Sequence, residues 1–210
     1  MFYFGNVTAH GTVYLYPERP PQDLVWVDPK GHTNFWCSVQ GDTSGSSSSP
    51  RTEYRETLPN SGEPYNWTPG GVSHSMTGRV RLELAPSSKK VIVGQIHASK
   101  APNPFLMVSW WNGFARVDFR PTPTGATVKV LSVPCALGEA FNYDLTIDAN
   151  GLLRVTLNDL VYITQVSPLW YAYPFYFKAG AYVIDSDGPV TEGGWVVYEG
   201  VEVRSGETPV

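Results

Sequence analysis

The chain of 210 residues carries a formal net charge of −4. That length suffices for one domain over residues 1–210 with a substantial core, and the negative balance argues against nucleic acid, whose binding proteins keep a basic excess. No window offers the roughly 18 consecutive apolar residues of a membrane span, and the start, Met1-Phe2-Tyr3-Phe4-Gly5, lacks the charged and apolar regions of a signal peptide.

Eighteen prolines and 20 glycines are spread along the chain and 13% of residues are aromatic, a composition that favours strands separated by turns. Alternating or β-rich segments recur at 12–16, 24–27, 34–39, 52–57, 75–84, 91–98, 105–111, 115–119, 127–133, 141–147, 152–157, 161–165, 175–184 and 195–203. They amount to about a dozen strands with no helical period. Asn112-Gly113 and Asn150-Gly151 suit hairpin turns, because both residue types tolerate positive φ. The predicted fold is all-β, a sandwich of two antiparallel sheets in a meander or jelly roll. The Ser-rich stretch 43–50 is either a flexible surface loop or a lid beside a cleft. Asp185-Ser186-Asp187-Gly188 lacks the full ligand set of a calcium loop and reads as a turn. Cys37 and Cys135, the two cysteines, either staple the sheets or remain buried thiols, and no metal-binding spacing exists.

Three polar motifs share one rule. Arg51-Thr52-Glu53-Tyr54-Arg55, Gln95-Ile96-His97 and Tyr176-Phe177-Lys178-Ala179-Gly180-Ala181-Tyr182 place their chemically capable residues at alternate positions. Successive side chains of a strand point to opposite faces, so Arg51, Glu53 and Arg55 share a face, as do Gln95 and His97, and Tyr176, Lys178 and Tyr182. Such a face, apolar behind and cationic in front, is suited to holding an acidic sugar chain. Taken singly, each motif reads equally well as a salt-bridge ladder, a satisfied core pair or an amphipathic strand. The conjunction is what carries the argument.

Together the motifs resemble the signature strands of polysaccharide lyase family 7, the alginate lyases, which show R-[ST]-E-[LV]-R, Q-[IV]-H and YFKAG-x-Y-x-Q. The resemblance runs from about residue 44 to residue 203 and leaves the first forty residues unmatched. It departs at Tyr54, where Leu or Val is usual, and after Tyr182, where Val183-Ile184-Asp185 replaces a polar pair ending in Gln. It implies a jelly roll with a concave substrate-binding face and cleavage of a 1,4-linked uronan by β-elimination. It also implies an acidic polysaccharide as partner, no cofactor, no metal, no nucleic acid, no membrane, a monomer, and a secreted or periplasmic location. Ile96 between Gln95 and His97 leans towards guluronate.

In that chemistry negative charge builds on the uronate carboxyl group as the C5 proton leaves, so donors must meet it there. The resemblance assigns Gln95 and Arg51 to this neutralisation, with Arg55 as a second candidate, and His97 and Tyr182 as base and acid. Lys178 and Tyr176 would hold substrate, and Glu53 would orient the two arginines. Trp110, Trp111 and Asn112 read as core or as a distal sugar subsite. His10, His32 and His74 have no motif context. A non-catalytic carbohydrate-binding module and a lyase of β-1,4-glucuronan are the competing readings, and a glycoside hydrolase lacks a paired second carboxylate.

Overall fold

A computed structural model describes residues 3–9, 12–14, 23–41, 43, 47–59 and 61–206. Among them, fifteen strands form two antiparallel sheets. The eight-stranded sheet runs in the order β10 (Val128–Pro134), β9 (Phe114–Phe119), β8 (Leu106–Trp111), β7 (Lys90–Ala98), β14 (Phe175–Val183), β5 (Arg51–Thr57), β1 (Tyr3–Ala9), β2 (Thr12–Tyr14). The seven-stranded sheet runs β13 (Leu160–Gln165), β12 (Leu152–Leu157), β11 (Ala140–Ile147), β6 (His74–Leu84), β15 (Gly193–Ser205), β4 (Thr33–Ser38), β3 (Val25–Val27). This is the jelly-roll sandwich expected, and no helix among the described residues is long and apolar enough to cross a membrane.

Period-two alternation sends one side of each strand into a core shared by both sheets. On β14 the inward residues Phe175, Phe177, Ala179, Ala181 and Val183 are fully buried. Phe105, Phe175 and Trp170 pack ring against ring beneath them. Tyr143 lies across the core between Gly78 and Gly94, where an added Cβ would stand 2.5 Å from its ring and 3.0 Å from its hydroxyl. Its hydroxyl meets that of Tyr198 at 3.0 Å, and Tyr198 in turn donates to Val93 O. This buried pair therefore anchors β7 immediately before Gln95.

The sequence reading missed β1, because a register shift between Phe4 and Asn6 breaks the alternation there. The strand read at 12–16 is seen as Thr12–Tyr14, and residues 15 and 16 lie outside the described residues. Asn112 and Gly113 both take positive φ, 51° and 85°, and close the two-residue β8–β9 hairpin. Asn150-Gly151 instead ends a longer loop that Asp148 organises by accepting from the Asn150 and Leu152 amides. Asp185 accepts from the Ser88 and Asp187 amides, as a turn does. Both cysteines are buried and unpaired with one another.

Candidate active site

The three polar motifs, far apart in sequence, become neighbours as β7, β14 and β5 in the middle of the eight-stranded sheet. Their register sets the site. Lys178 lies opposite Arg55 on one side and Gln95 on the other, Tyr176 opposite His97, Gly180 opposite Glu53, and Tyr182 opposite Arg51 and Ile92. Gln95, His97, Arg51, Glu53, Arg55, Tyr176, Lys178 and Tyr182 thus share the face turned away from the core. Glu53, Gln95 and Lys178 are nevertheless buried, at 0%, 0% and 7% exposure. An outward face whose side chains are buried is a recess.

Glu53 is the hub of that recess. Its Oε1 accepts from Gln95 Nε2 at 2.5 Å, its Oε2 accepts from Lys178 Nζ, and Arg51 Nη1 stands 4.0 Å from the same Oε2. A carboxylate only accepts, so the Gln95 amide must turn its NH₂ towards Glu53. Gln95 Oε1, Arg51 Nε and His97 Nδ1 are buried and make no hydrogen bond within the protein. A buried polar atom without a partner is costly, and three of them in one recess mark where a polar ligand completes the network.

Backbone geometry makes the close packing possible. Gly180 has φ +154°, and a Cβ there would fall 2.4 Å from Thr52 O and 2.6 Å from Glu53 Cα. Only glycine lets β14 approach β5 this closely, and that approach brings Lys178 onto Glu53.

The arginines have different tasks. Arg51 lays its guanidinium 3.9 Å from the centre of the Tyr182 ring, and Arg55 does the same over Tyr176. Arg55 also donates to Glu56 O, to Tyr65 O at 3.2 Å and to Asn66 Oδ1 at 2.6 Å. Glu53, expected to orient both arginines, stands 4.0 Å from Arg51, whereas the carbonyls of Glu56 and Tyr65 and the Asn66 amide hold Arg55. The departure at Tyr54 is on the core side, where its ring meets Phe35 edge-on at 4.8 Å.

His97 stacks on Tyr176 with ring centres 5.1 Å apart. Burial first, then the Lys178 ammonium, pull its pKa down to about 4, against the opposing pull of Glu53. It is therefore a free base at neutral pH. Burial also draws Lys178 below the ordinary lysine range, and the Glu53 carboxylate resists this. Burial raises Tyr176.

The matching family model, described as alginate lyase, covers residues 18–205. The chain belongs to the alginate lyase family. It is a polysaccharide lyase of family 7, with the two-sheet jelly roll of that family. An alginate lyase from Pseudomonas aeruginosa is 28% identical, with a TM-score of 0.82 over 95% of this chain and 96% of that one. The family 7 alginate lyase A1-II′, in a substituted form in complex with substrate, is 25% identical, with a TM-score of 0.79 over 92% and 85%. A further structure of A1-II′, at 24% identity and TM-score 0.85 over 98% of this chain and 96% of that one, shows the shared fold. The comparison with curated proteins finds no match.

Around this recess the sequence reading named the Ser-rich stretch as a loop or lid but assigned no role to Ser47 or Glu56. Ser47 Oγ lies 3.1 Å from the Tyr182 hydroxyl, so the Ser-rich stretch reaches the recess, although residues 44–46 lie outside the described residues. Glu56 is fully buried on the core side of β5, accepting from Trp67 Nε1 at 3.0 Å and Phe177 N at 2.9 Å, while its other oxygen has no partner. Burial lifts its pKa to about 7. A carboxylate at the inward parity of Thr52 and Tyr54 was the available signal. His74 is structural, stacked on Trp67 and bonded to Ser205, and His32 pairs with Asp28. His10 lies outside the described residues.

Proposed function

We propose that this family member cleaves 1,4-linked mannuronate and guluronate by β-elimination that needs no metal. The supporting observation is the gathering of Gln95, Lys178 and Arg51 on Glu53, with His97 and Tyr182 on either side along one face.

The uronate carboxyl group would enter beside Arg51 and Lys178, with the second N–H of the Gln95 amide, whose first donates to Glu53, as a further donor. Those donors are held in place beforehand, so little reorganisation is needed as charge grows on the carboxyl group. The base removes the C5 proton, the electron pair becomes the C4–C5 double bond, and the C4–O bond breaks as an acid protonates the leaving oxygen. For guluronate, neutral His97 takes the proton and the Tyr182 hydroxyl supplies one from the other side. For mannuronate, where both events fall on one side of the ring, Tyr182 performs both. Arg55 and Tyr176 pack together beside His97 and hold its ring in orientation.

High-polymer uronans do not pass membranes unaided, so this reading places the enzyme outside the cytoplasm, secreted or periplasmic. The acidic polysaccharide is its partner, and the protein acts as a monomer. Mass spectrometry of the products tests the reaction class. Each elimination gives one saturated fragment and one fragment lighter by one water, the one that carries the C4–C5 double bond, whereas two fragments of hydrolytic mass from each cleavage would overturn it.

A further inference from the structure

The catalytic face continues past β7 to the far edge of the sheet. The row through Arg51, Tyr182 and Ile92 extends to Ser109, Arg116 and Ser132. The row through Arg55, Lys178 and Gln95 extends to Met107, Asp118 and Lys129. At about 4.8 Å per strand, β9 lies roughly 14 Å from β14, a separation of a few sugar rings along a polymer laid across the strands.

Strand parity also separates the two neighbouring tryptophans. Trp110 is buried at 4% exposure, with its Nε1 donating to Cys135 O at 2.9 Å. Trp111 faces the groove at 36% exposure. Lys90 Nζ and Arg116 Cζ stand 4.3 Å and 4.5 Å from the centre of its ring. The indole thus holds two long cationic side chains in fixed positions, which lowers the entropy lost when they pair with an anion. Lys129 adds a third cation on a recess of about 300 Å³ bounded by Trp111, Arg116, Lys129 and Ser132. Asp118, bonded to Arg116 at 2.5–2.8 Å, is the carboxylate seated among them. Between this patch and Tyr182, Ser109 Oγ is buried with no hydrogen-bond partner.

We infer that Lys90, Arg116 and Lys129, gathered around Trp111, form a distal subsite that binds carboxylates of the same uronan chain several residues from the scissile bond. This inference rests on the proposed uronan substrate. It explains how a chain of net charge −4 grips a polyanion, by concentrating cations along one groove. The patch takes no part in bond breaking. Its contribution is to affinity for chains long enough to span from Gln95 to Lys129.

Binding of a uronate trisaccharide and a uronate octasaccharide to the Tyr182→Phe protein at low salt, by titration calorimetry, tests the subsite. The same titrations are repeated after adding Lys90→Gln and Lys129→Gln. The octasaccharide should bind roughly tenfold more weakly in the charge-depleted protein, while trisaccharide affinity is unchanged. Equal weakening of both would mark a general charge effect, and an unchanged or undetectable octasaccharide affinity would likewise overturn the subsite. The wild-type reaction is read separately. Octasaccharide binding with no unsaturated product from any uronan defeats the lyase reading alone, and turnover with a length-independent effect of the two lysines defeats the subsite alone.

Discussion

Lys178 Nζ on β14 donates to Glu53 Oε2 on β5, and both side chains are shut off from solvent, at 8% and 1% exposure. Breaking such a pair leaves one buried charge uncompensated. Glu53→Ala should therefore cost about 3–5 kcal/mol of stability. Glu53→Ala combined with Lys178→Met should recover most of that loss yet remain inactive, because the donors facing the substrate are gone. Denaturant titration with an activity assay measures both. A single substitution as stable as the parent would show that Glu53 does not organise the recess.

Tyr182→Phe removes one oxygen while keeping the ring beneath Arg51. Turnover should fall about 10²–10⁴-fold with the thermal midpoint nearly unchanged, and His97→Ala should behave likewise on guluronate. Steady-state kinetics on polyguluronate and polymannuronate, alongside circular dichroism, would check this. If Tyr182→Phe stayed fully active, Tyr182 could not be the acid.

His97 titrates near pH 4, because burial and Lys178 disfavour its charged form. The acid limb of kcat/KM should therefore bend near that pH and not near 6.5, the ordinary value for histidine. His74 is also lowered to about 4 by burial. For both, the unfolded chain takes up its proton first, so stability should fall as pH drops from 6.5 towards 4. Activity profiles read against thermal unfolding at each pH separate the two effects.

Glu56 shows the opposite sign. Its folded pKa of about 7 exceeds the ordinary 4.5, so its proton stabilises the fold below 4.5 and that contribution is lost as pH rises to 7. Glu56→Gln keeps an acceptor for Trp67 Nε1 and Phe177 N without ionising. It should match the parent at pH 4.5 and be more stable by about 3 kcal/mol above pH 7. Unfolding curves across this range decide it, and a constant difference at every pH would contradict the assignment.

The shared face was legible in the sequence because strand alternation is local. Arg51, Glu53 and Arg55 need only their own spacing to be placed on one side. The adjacency of β7, β14 and β5 was legible only through the family resemblance, since alternation does not say which strands pair. What was illegible depended on contacts between distant segments. Ser47 meets Tyr182, Asn66 holds Arg55, and the rows from Tyr182 to Arg116 and from Lys178 to Lys129 appear only once four strands are in register. Strand β1 escaped for a local reason, the register shift after Phe4.

Incubating the purified chain with polymannuronate, polyguluronate and glucuronan separately, with chelator present, and following ultraviolet absorbance of the C4–C5 double bond tests the central claim most directly. The expected result is a rise with one or both alginate blocks that Tyr182→Phe abolishes. A rise with glucuronan alone would reassign the substrate, and retained binding with no rise on any of the three would contradict elimination at this site.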